Sequence, residues 1–314
     1  MSALIAVEPS HAQSEGLIKE PIRILVPLPP GGTSDITARL LADSLRESLG
    51  RPVFVENRPG ATGRIAAEAL KGAAPDGATF LLAPMAVIVW APMVFKRLAY
   101  DPLKDFAPVS QVAKIHYAFA VSPTHQARTV AQFVAWAQAN SGQANYGTPG
   151  TGSVSHFLGS LFGREAGLEM VHVAYRGANS LTTELMGAQV PCAISALSDL
   201  IELHRAGRIR IIATAGSERS PILPAVPTFK EQGFPRVEGV GWIGLYAPAG
   251  TAKPVIDQLA MAVAKALRTS AVSERLINLG IEPTGTTPEE LASIMAADTA
   301  RWAPIIKASG FTID

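Results

Sequence analysis

A chain of 314 residues has room for a large core, and the usual domain size leads us to expect two domains. Hydrophobic residues make up 48% and charged residues only 17%, so the interior is large and the surface weakly charged. A formal net charge of +1, with acids and bases interspersed, gives no electrostatic footprint for nucleic acid or an anionic membrane.

In chain order, Met1 to Gln13 lacks Lys and Arg, yet Pro9 to Gln13 resembles the small-residue end of a secretory signal with cleavage after Ala12. Residues 1–20 are expected to be a signal remnant or a disordered tail, so the export signal as written is incomplete. No apolar run approaches the roughly 18 residues that a membrane helix needs. The run from Ile22 to Val26 reads as a buried strand. It turns through Pro29, Pro30, Gly31 and Gly32 into a helix that opens on Thr33, Ser34 and Asp35. One of these three oxygen-bearing residues is placed to cap the helix. Unpaired amides and the positive end of the helix dipole suit an anion there, although any strand-to-helix turn has a similar look.

Ile36, Leu40, Leu45 and Leu49 fall on one helical face, with Gly50 as the stop. Strands follow at Pro52 to Asn57 and at Thr79 to Ala83, separated by the turn from Arg58 to Arg64 and an Ala-rich helix to Lys71. The text from Leu98 to Pro108 is irregular. Beyond it, strands are expected at 117–122, 145–147, 171–175, 190–195, 210–215 and 241–247, alternating with helices. Gly280 stops one tail helix, and Thr287 with Pro288 and Glu290 starts the last. The βαβ rhythm implies two lobes, 21–120 plus 238–314 and 121–237, joined by two crossings around a cleft that can hinge.

Among the chemical candidates, Gly150 to Ser155 is the nearest approach to a dinucleotide fingerprint. It has Ser155 at the third glycine and no acid at the end of the next strand, so a glycine-rich anion cradle is the better reading. Ser153 and His156 are three apart without a nucleophile elbow around the serine, and local hydrogen bonding explains them as well as chemistry does. The histidines have no metal spacing, and Cys192 sits in an apolar run as an inert thiol. Arg64 and Arg176 each enter a helix, where a guanidinium can clamp a carboxylate or simply be solvated. Met85 and Trp90 offer either an apolar wall or core packing. Gly-, Ser- and Thr-rich helix starts with few acids, bases or metal ligands favour binding an anionic small molecule over transforming it.

Several stretches carry a family resemblance: Val26 to Asp35, Val55 to Gly63, Ala74 to Gly77, Tyr100 to Pro108, Asn145 to Gly147, Gly150 to His156, His172 to Ala178, Arg219 to Pro221 and Ala247 to Thr251. From Pro21 onward the chain resembles the periplasmic solute-binding proteins of the tripartite tricarboxylate transporter, the Bug (Bordetella uptake gene) family. The resemblance implies an α/β, two-lobed Venus-flytrap fold of the type II periplasmic-binding-protein kind, each lobe a mostly parallel sheet flanked by helices. It also implies a monomer that closes over a small carboxylate and delivers it to the large and small subunits of a membrane permease, with no cofactor and no catalysis.

Carried over from the family, the ligand contacts are Gly31, Gly32, Thr33 and Asp35, with Ser34 beside them, then Thr148, Thr151, Ser153 and His156, then Gly177 and Ala178. Asp35 is expected to cap its helix and order the loop, since a carboxylate facing an anion would repel it. The chain departs from its relatives at Pro84, Met85 and Ala86, at Pro149, and at Ser195, where an acid is common. These changes imply a less polar pocket, lined by Met85, Ala86 and Ser195, for an aromatic or medium-chain dicarboxylate, with Arg64 or Arg176 as a second anchor. A nucleotide- or phosphate-handling α/β enzyme and a ligand sensor for a membrane signalling partner are the alternatives.

Overall fold

The computed structural model describes residue 18 and residues 20–313. Most of the expected signal remnant lies outside these. Ile18 does not behave as a tail, because it is buried in the core against the Gly77 turn.

The first half of the chain gives β1 (Ile22–Val26), α1 (Thr33–Leu49), β2 (Val53–Asn57), α2 (Arg64–Lys71) and β3 (Thr79–Pro84). A π-helical turn at Ala86–Trp90 then runs into α3 (Ala91–Val94), followed by α4 (Pro102–Asp105) and β4 (Phe106–Ile115). Next come β5 (Tyr117–Val121), α5 (Val130–Ala139), β6 (Asn145–Thr148), α6 (Val154–Glu165), β7 (Val171–Ala174), α7 (Ala178–Met186), β8 (Cys192–Ala196), α8 (Leu197–Arg205) and β9 (Arg210–Thr214). The tail supplies β10 (Gly241–Pro248), α9 (Lys253–Arg268), α10 (Ser270–Asn278), β11 (Ile281–Pro283) and α11 (Pro288–Ser309).

These strands form two sheets, ordered β11-β4-β10-β3-β1-β2 and β7-β6-β8-β5-β9. Strands β1, β2 and β3 run parallel, as do β6, β7 and β8, which is what helix-linked, continuously apolar strands require. Both sheets are mixed, since β10 and β11 run antiparallel to β4, and β5 runs antiparallel to β8 and β9. The ten-residue β4 occupies part of the stretch expected to be irregular. Its prolines and polar residues obscure the strand pattern, but β10 and β11 flank it on both sides and satisfy its backbone. The first crossing between sheets falls at His116, so β5 belongs wholly to the second sheet and the expected boundary at 120 shifts toward the N-terminus.

Helix ends follow local chemistry. Gly50 adopts a left-handed conformation at φ 62° and closes α1, and Thr287 with Glu290 forms a complete capping box for α11. One apolar cluster packs the outer face of the first sheet and includes Ile24, Leu41, Phe80 and Leu245. Another packs α7 and α8 on the second sheet through Leu181, Leu200 and Ile201. The third runs through both lobes, from Leu81 and Trp90 to Phe119 and Phe162. Trp90 meets Phe157 edge-on at 5.3 Å and Trp302 at 4.9 Å. Each large side chain buried there stabilises the fold by about 1.5–3 kcal/mol.

Candidate functional site

The parallel strands fix where a site can form. In open α/β sheets ligands settle beyond the carboxyl ends of the strands, and here those ends carry the loops after β1, β3, β6, β7 and β8. The ligand contacts expected from the sequence fall on these five loops, while Arg64 follows β2.

After β1, Gly31 turns at φ 84° and Gly32 is the N-cap of α1, with no side-chain cap. The cap expected from Thr33, Ser34 or Asp35 is therefore a glycine, and Thr33, Ser34 and Asp35 occupy the first turn. Asp35 reaches back to accept the Gly31 N–H at 2.9 Å. It also accepts Arg39 Nε at 3.0 Å and Asn57 Nδ2 at 2.9 Å. Burial opposes ionisation of Asp35, but the bonds from Arg39, Gly31 and Asn57 outweigh it and hold the carboxyl below its ordinary range. Asn57 also donates to the Leu28 carbonyl, so the charge of Asp35 is spent on ordering the loop. The Thr33 and Ser34 amides belong to the first turn, where no earlier helical carbonyl can receive them.

After β2, Gly60, Ala61, Thr62 and Gly63 all have positive φ, a left-handed turn in which two residues carry a Cβ. It brings Gly63 close to Pro27 and Val87, against the first loop. Arg64 does not point free into a cleft. Its guanidinium lies 4.1 Å over the Phe95 ring and its Nε donates to the Ala61 carbonyl. After β3, Met85 is buried in the shared core and Ala86 is half-buried at the start of the π-helical turn. Met85 thus packs in the core at the end of β3.

In the second lobe, Thr148 is fully buried, and its hydroxyl bonds the Gly150 carbonyl at 3.1 Å and His172 Nε2 at 2.7 Å. Ser153 is the N-cap of α6, accepting the His156 N–H and donating to the Gly150 carbonyl at 2.7 Å. His156 Nδ1 accepts the Gly152 N–H at 3.1 Å, and its ring stacks on His172 at 4.0 Å. Both imidazoles are pushed toward the neutral form. Burial lowers His156, while burial and the neighbouring His156 lower His172 from 6.5 to about 4. Ser153 and His156 are thus tied into the loop and make no nucleophile-base pair. Thr151 and Arg176 are exposed, Gly177 is the N-cap of α7 at φ 92°, and Ala178 is its first residue.

Ser195, one residue before the end of β8, is fully buried and donates to Asp199 Oδ2 at 2.5 Å. Burial raises the Asp199 carboxyl above its ordinary range despite that bond. Asp199, in the first turn of α8 four residues on, thus sets a carboxyl beside Ser195. The lobes touch directly at this helix start, where Thr33 Oγ1 stands 3.4 Å from Ser198 Oγ. Ser198 and Asp199 escape a motif-based reading because they belong to none of the matching stretches. The available signal is positional: an acid in the first turn of a helix, as at Asp35. A separate groove of about 550 Å³, lined by Lys114, His116, Trp242, Glu282 and Asp298 among others, includes none of the five loops. The loops after β1, β6, β7 and β8 each lead into a helix start, whose amides suit an anion.

Two lobes, each a mixed sheet flanked by helices, define a binding-protein fold, and solved structures share it. A Rhodopseudomonas palustris protein solved with adipate is 30% identical, with a TM-score of 0.85 over 93% of this chain and 98% of that one. MatC from Rhodopseudomonas palustris, with bound malate, is 30% identical with a TM-score of 0.80 over 91% of this chain and 99% of its own. Protein BugT of Bordetella pertussis is 33% identical over 294 residues, 92% of this chain and 89% of that protein. The profile of the tripartite tricarboxylate transporter family receptor matches residues 37–311. The chain belongs to this receptor family.

Proposed function

We propose that the protein captures a small carboxylate between its lobes, outside the cytoplasmic membrane, and hands it unchanged to the permease subunits of a tripartite transporter. The lobes are taken as 21–116 with 238–313, and 117–237. The observation that carries this reading is the meeting of two helix starts, α1 and α8, at Thr33 and Ser198. Two positive helix ends repel each other across a gap unless an anion lies between them. Asp35, the acid in the first turn of α1, is neutralised by Arg39 and the loop amides, so that jaw offers donors.

In this reading the Gly32, Thr33 and Ser34 amides, the Thr33 and Ser198 hydroxyls and the start of α7 at Gly177 and Ala178 hold carboxylate oxygens. Thr148, Ser153, His156 and Ser195 act from behind by fixing loops, Thr151 and Arg176 lie at the rim, and Met85 with Ala86 gives the floor its apolar character. Such a floor favours a ligand with an apolar body, an aromatic acid or a medium-chain dicarboxylate, and the adipate-bound relative supports that choice. The test is a thermal-shift and calorimetry screen with adipate, malate, benzoate and zwitterionic amino acids. At a hundred times its dissociation constant a true ligand adds about 2.7 kcal/mol of stability. Adipate or benzoate is expected to shift the melt and be recovered unchanged. A response to amino acids alone would reject the apolar-carboxylate reading.

A further inference from the structure

The chain passes from β4 of the first sheet to β5 of the second through one residue, His116, which is 7% exposed. Its side chain is bonded to the first lobe, where Nε2 lies 2.5 Å from Glu282 Oε2 on the edge strand β11. Lys114 Nζ pairs with the other oxygen of that carboxylate at 3.3 Å. The His116 hydrogen bond holds the Glu282 carboxyl below its ordinary range, against the opposing effect of burial, with help from Lys114. The main chain of His116 is bonded to the second lobe, since its carbonyl accepts the Leu197 N–H at 2.7 Å.

Leu197 opens α8, and the next residue is Ser198, which faces Thr33. The turn before β11 presses on the same point, because a Cβ on Gly280 would lie 2.9 Å from the Ser198 nitrogen. Glu282, His116, Leu197, Ser198 and Thr33 therefore form a chain of contacts from the back of the hinge to the candidate cleft. A hinge works by letting a few residues absorb changes in backbone angles. A hinge residue tied by its side chain to one lobe and by its carbonyl to the other has little freedom to do so.

We propose that the His116–Glu282 hydrogen bond positions the start of α8 against α1, so that Glu282, which lies on the edge strand β11 outside the five loops, sets the lobe angle and through it the affinity for the carboxylate. Its ligand arm rests on the function proposed above, while its lobe-angle arm does not.

The test uses the full chain with spin labels at Glu68→Cys and Thr183→Cys, one exposed position on each lobe, Cys192 being buried. Double electron–electron resonance reads the inter-lobe distance without ligand, and calorimetry reads adipate affinity. Glu282→Ala is expected to broaden the distance distribution and weaken adipate at least fivefold. Glu282→Gln, whose amide oxygen still accepts from the ring N–H, is expected to restore both to within twofold. Glu282→Asp withdraws the oxygen but keeps the charge beside Lys114, and carries the alanine expectation if that variant does not fold. A distance distribution in Glu282→Ala or Glu282→Asp that matches the parent, or a glutamine variant no better than alanine, would overturn the proposal. If the parent binds no carboxylate, the proposed function fails, and the distance measurement still decides whether the latch exists.

Discussion

Thr33 Oγ1 and Ser198 Oγ stand 3.4 Å apart although 165 residues separate them in sequence. Each lies in the first turn of a helix, one following β1 of the first sheet and the other following β8 of the second. This pair of hydroxyls is one of the places where the two lobes meet.

That pair gives the most direct prediction. Thr33→Ala removes a cross-lobe partner and a proposed ligand donor together, and Ser198→Ala removes the opposing hydroxyl. A neutral hydrogen bond contributes about 0.5–1.5 kcal/mol, so each change is expected to weaken carboxylate binding by roughly 2- to 13-fold. Calorimetry on the two single variants and the double variant measures the coupling, and additive losses would show that the two hydroxyls act independently.

Asp35 should matter more for stability than for charge balance with a ligand. Its side chain is 4% exposed and serves three donors, so Asp35→Ala is expected to cost about 1–3 kcal/mol through the orphaned Gly31 N–H and Asn57 amide. Because its carboxyl is held below the ordinary range in the fold, its stabilisation is present above the unfolded value and is lost as pH falls through the folded one. Urea unfolding of Asp35→Asn is expected to show a shallower loss below pH 4 than the parent.

His172 gives a second, separate pH window. Its folded value is about 4 against an ordinary 6.5, so the unfolded chain takes up a proton that the folded chain refuses between those limits. Stability conferred by the neutral ring is complete above about pH 6.5 and declines as pH falls toward 4, by at most about 1.4 kcal/mol per pH unit. Burial also lowers His125, His156 and His204, so the informative quantity is the difference between parent and His172→Gln. The variant is expected to have the flatter profile, and identical slopes would place His172 in contact with water.

The left-handed turn before α2 stores strain in two residues that carry a Cβ. Ala61 and Thr62 have φ of 46° and 57°. Relief of left-handed strain is worth about 1–2 kcal/mol per residue, and the added freedom of glycine in the unfolded chain costs about 0.5–1. Thr62→Gly is expected to raise stability by up to about 1 kcal/mol in denaturant unfolding. A loss instead would mean that the threonine side chain makes a compensating contribution.

Much of the architecture was legible because it is local. The parallel strands, the stops at Gly50 and Gly280 and the cap at Thr287 follow from short-range periodicity and turn chemistry. Strand β4 was not, since its pairing is with β10 and β11, more than 125 residues later, and its own text mixes Pro108, Ser110, Gln111 and Lys114 with apolar residues. The glycine-rich joints were legible as helix starts, but their partners were not. Nothing near Gly31 announces that Asn57 and Arg39 will hold Asp35, and nothing near Ser195 announces that Asp199 will supply a carboxyl. Arg64 looked free as a ligand anchor because the stacking ring, Phe95, comes from another loop.

The edge-on contact of Trp90 with Phe157 has a consequence for how the chain folds. An apolar cluster that continues from one lobe into the other leaves neither lobe with a self-sufficient interior. A fragment ending near residue 240 would expose the faces that α11 covers through Trp302 and Ile306, and would be prone to aggregate. Thermal unfolding is accordingly expected as one cooperative transition, in which proteases meet a molecule that is either wholly assembled or wholly open.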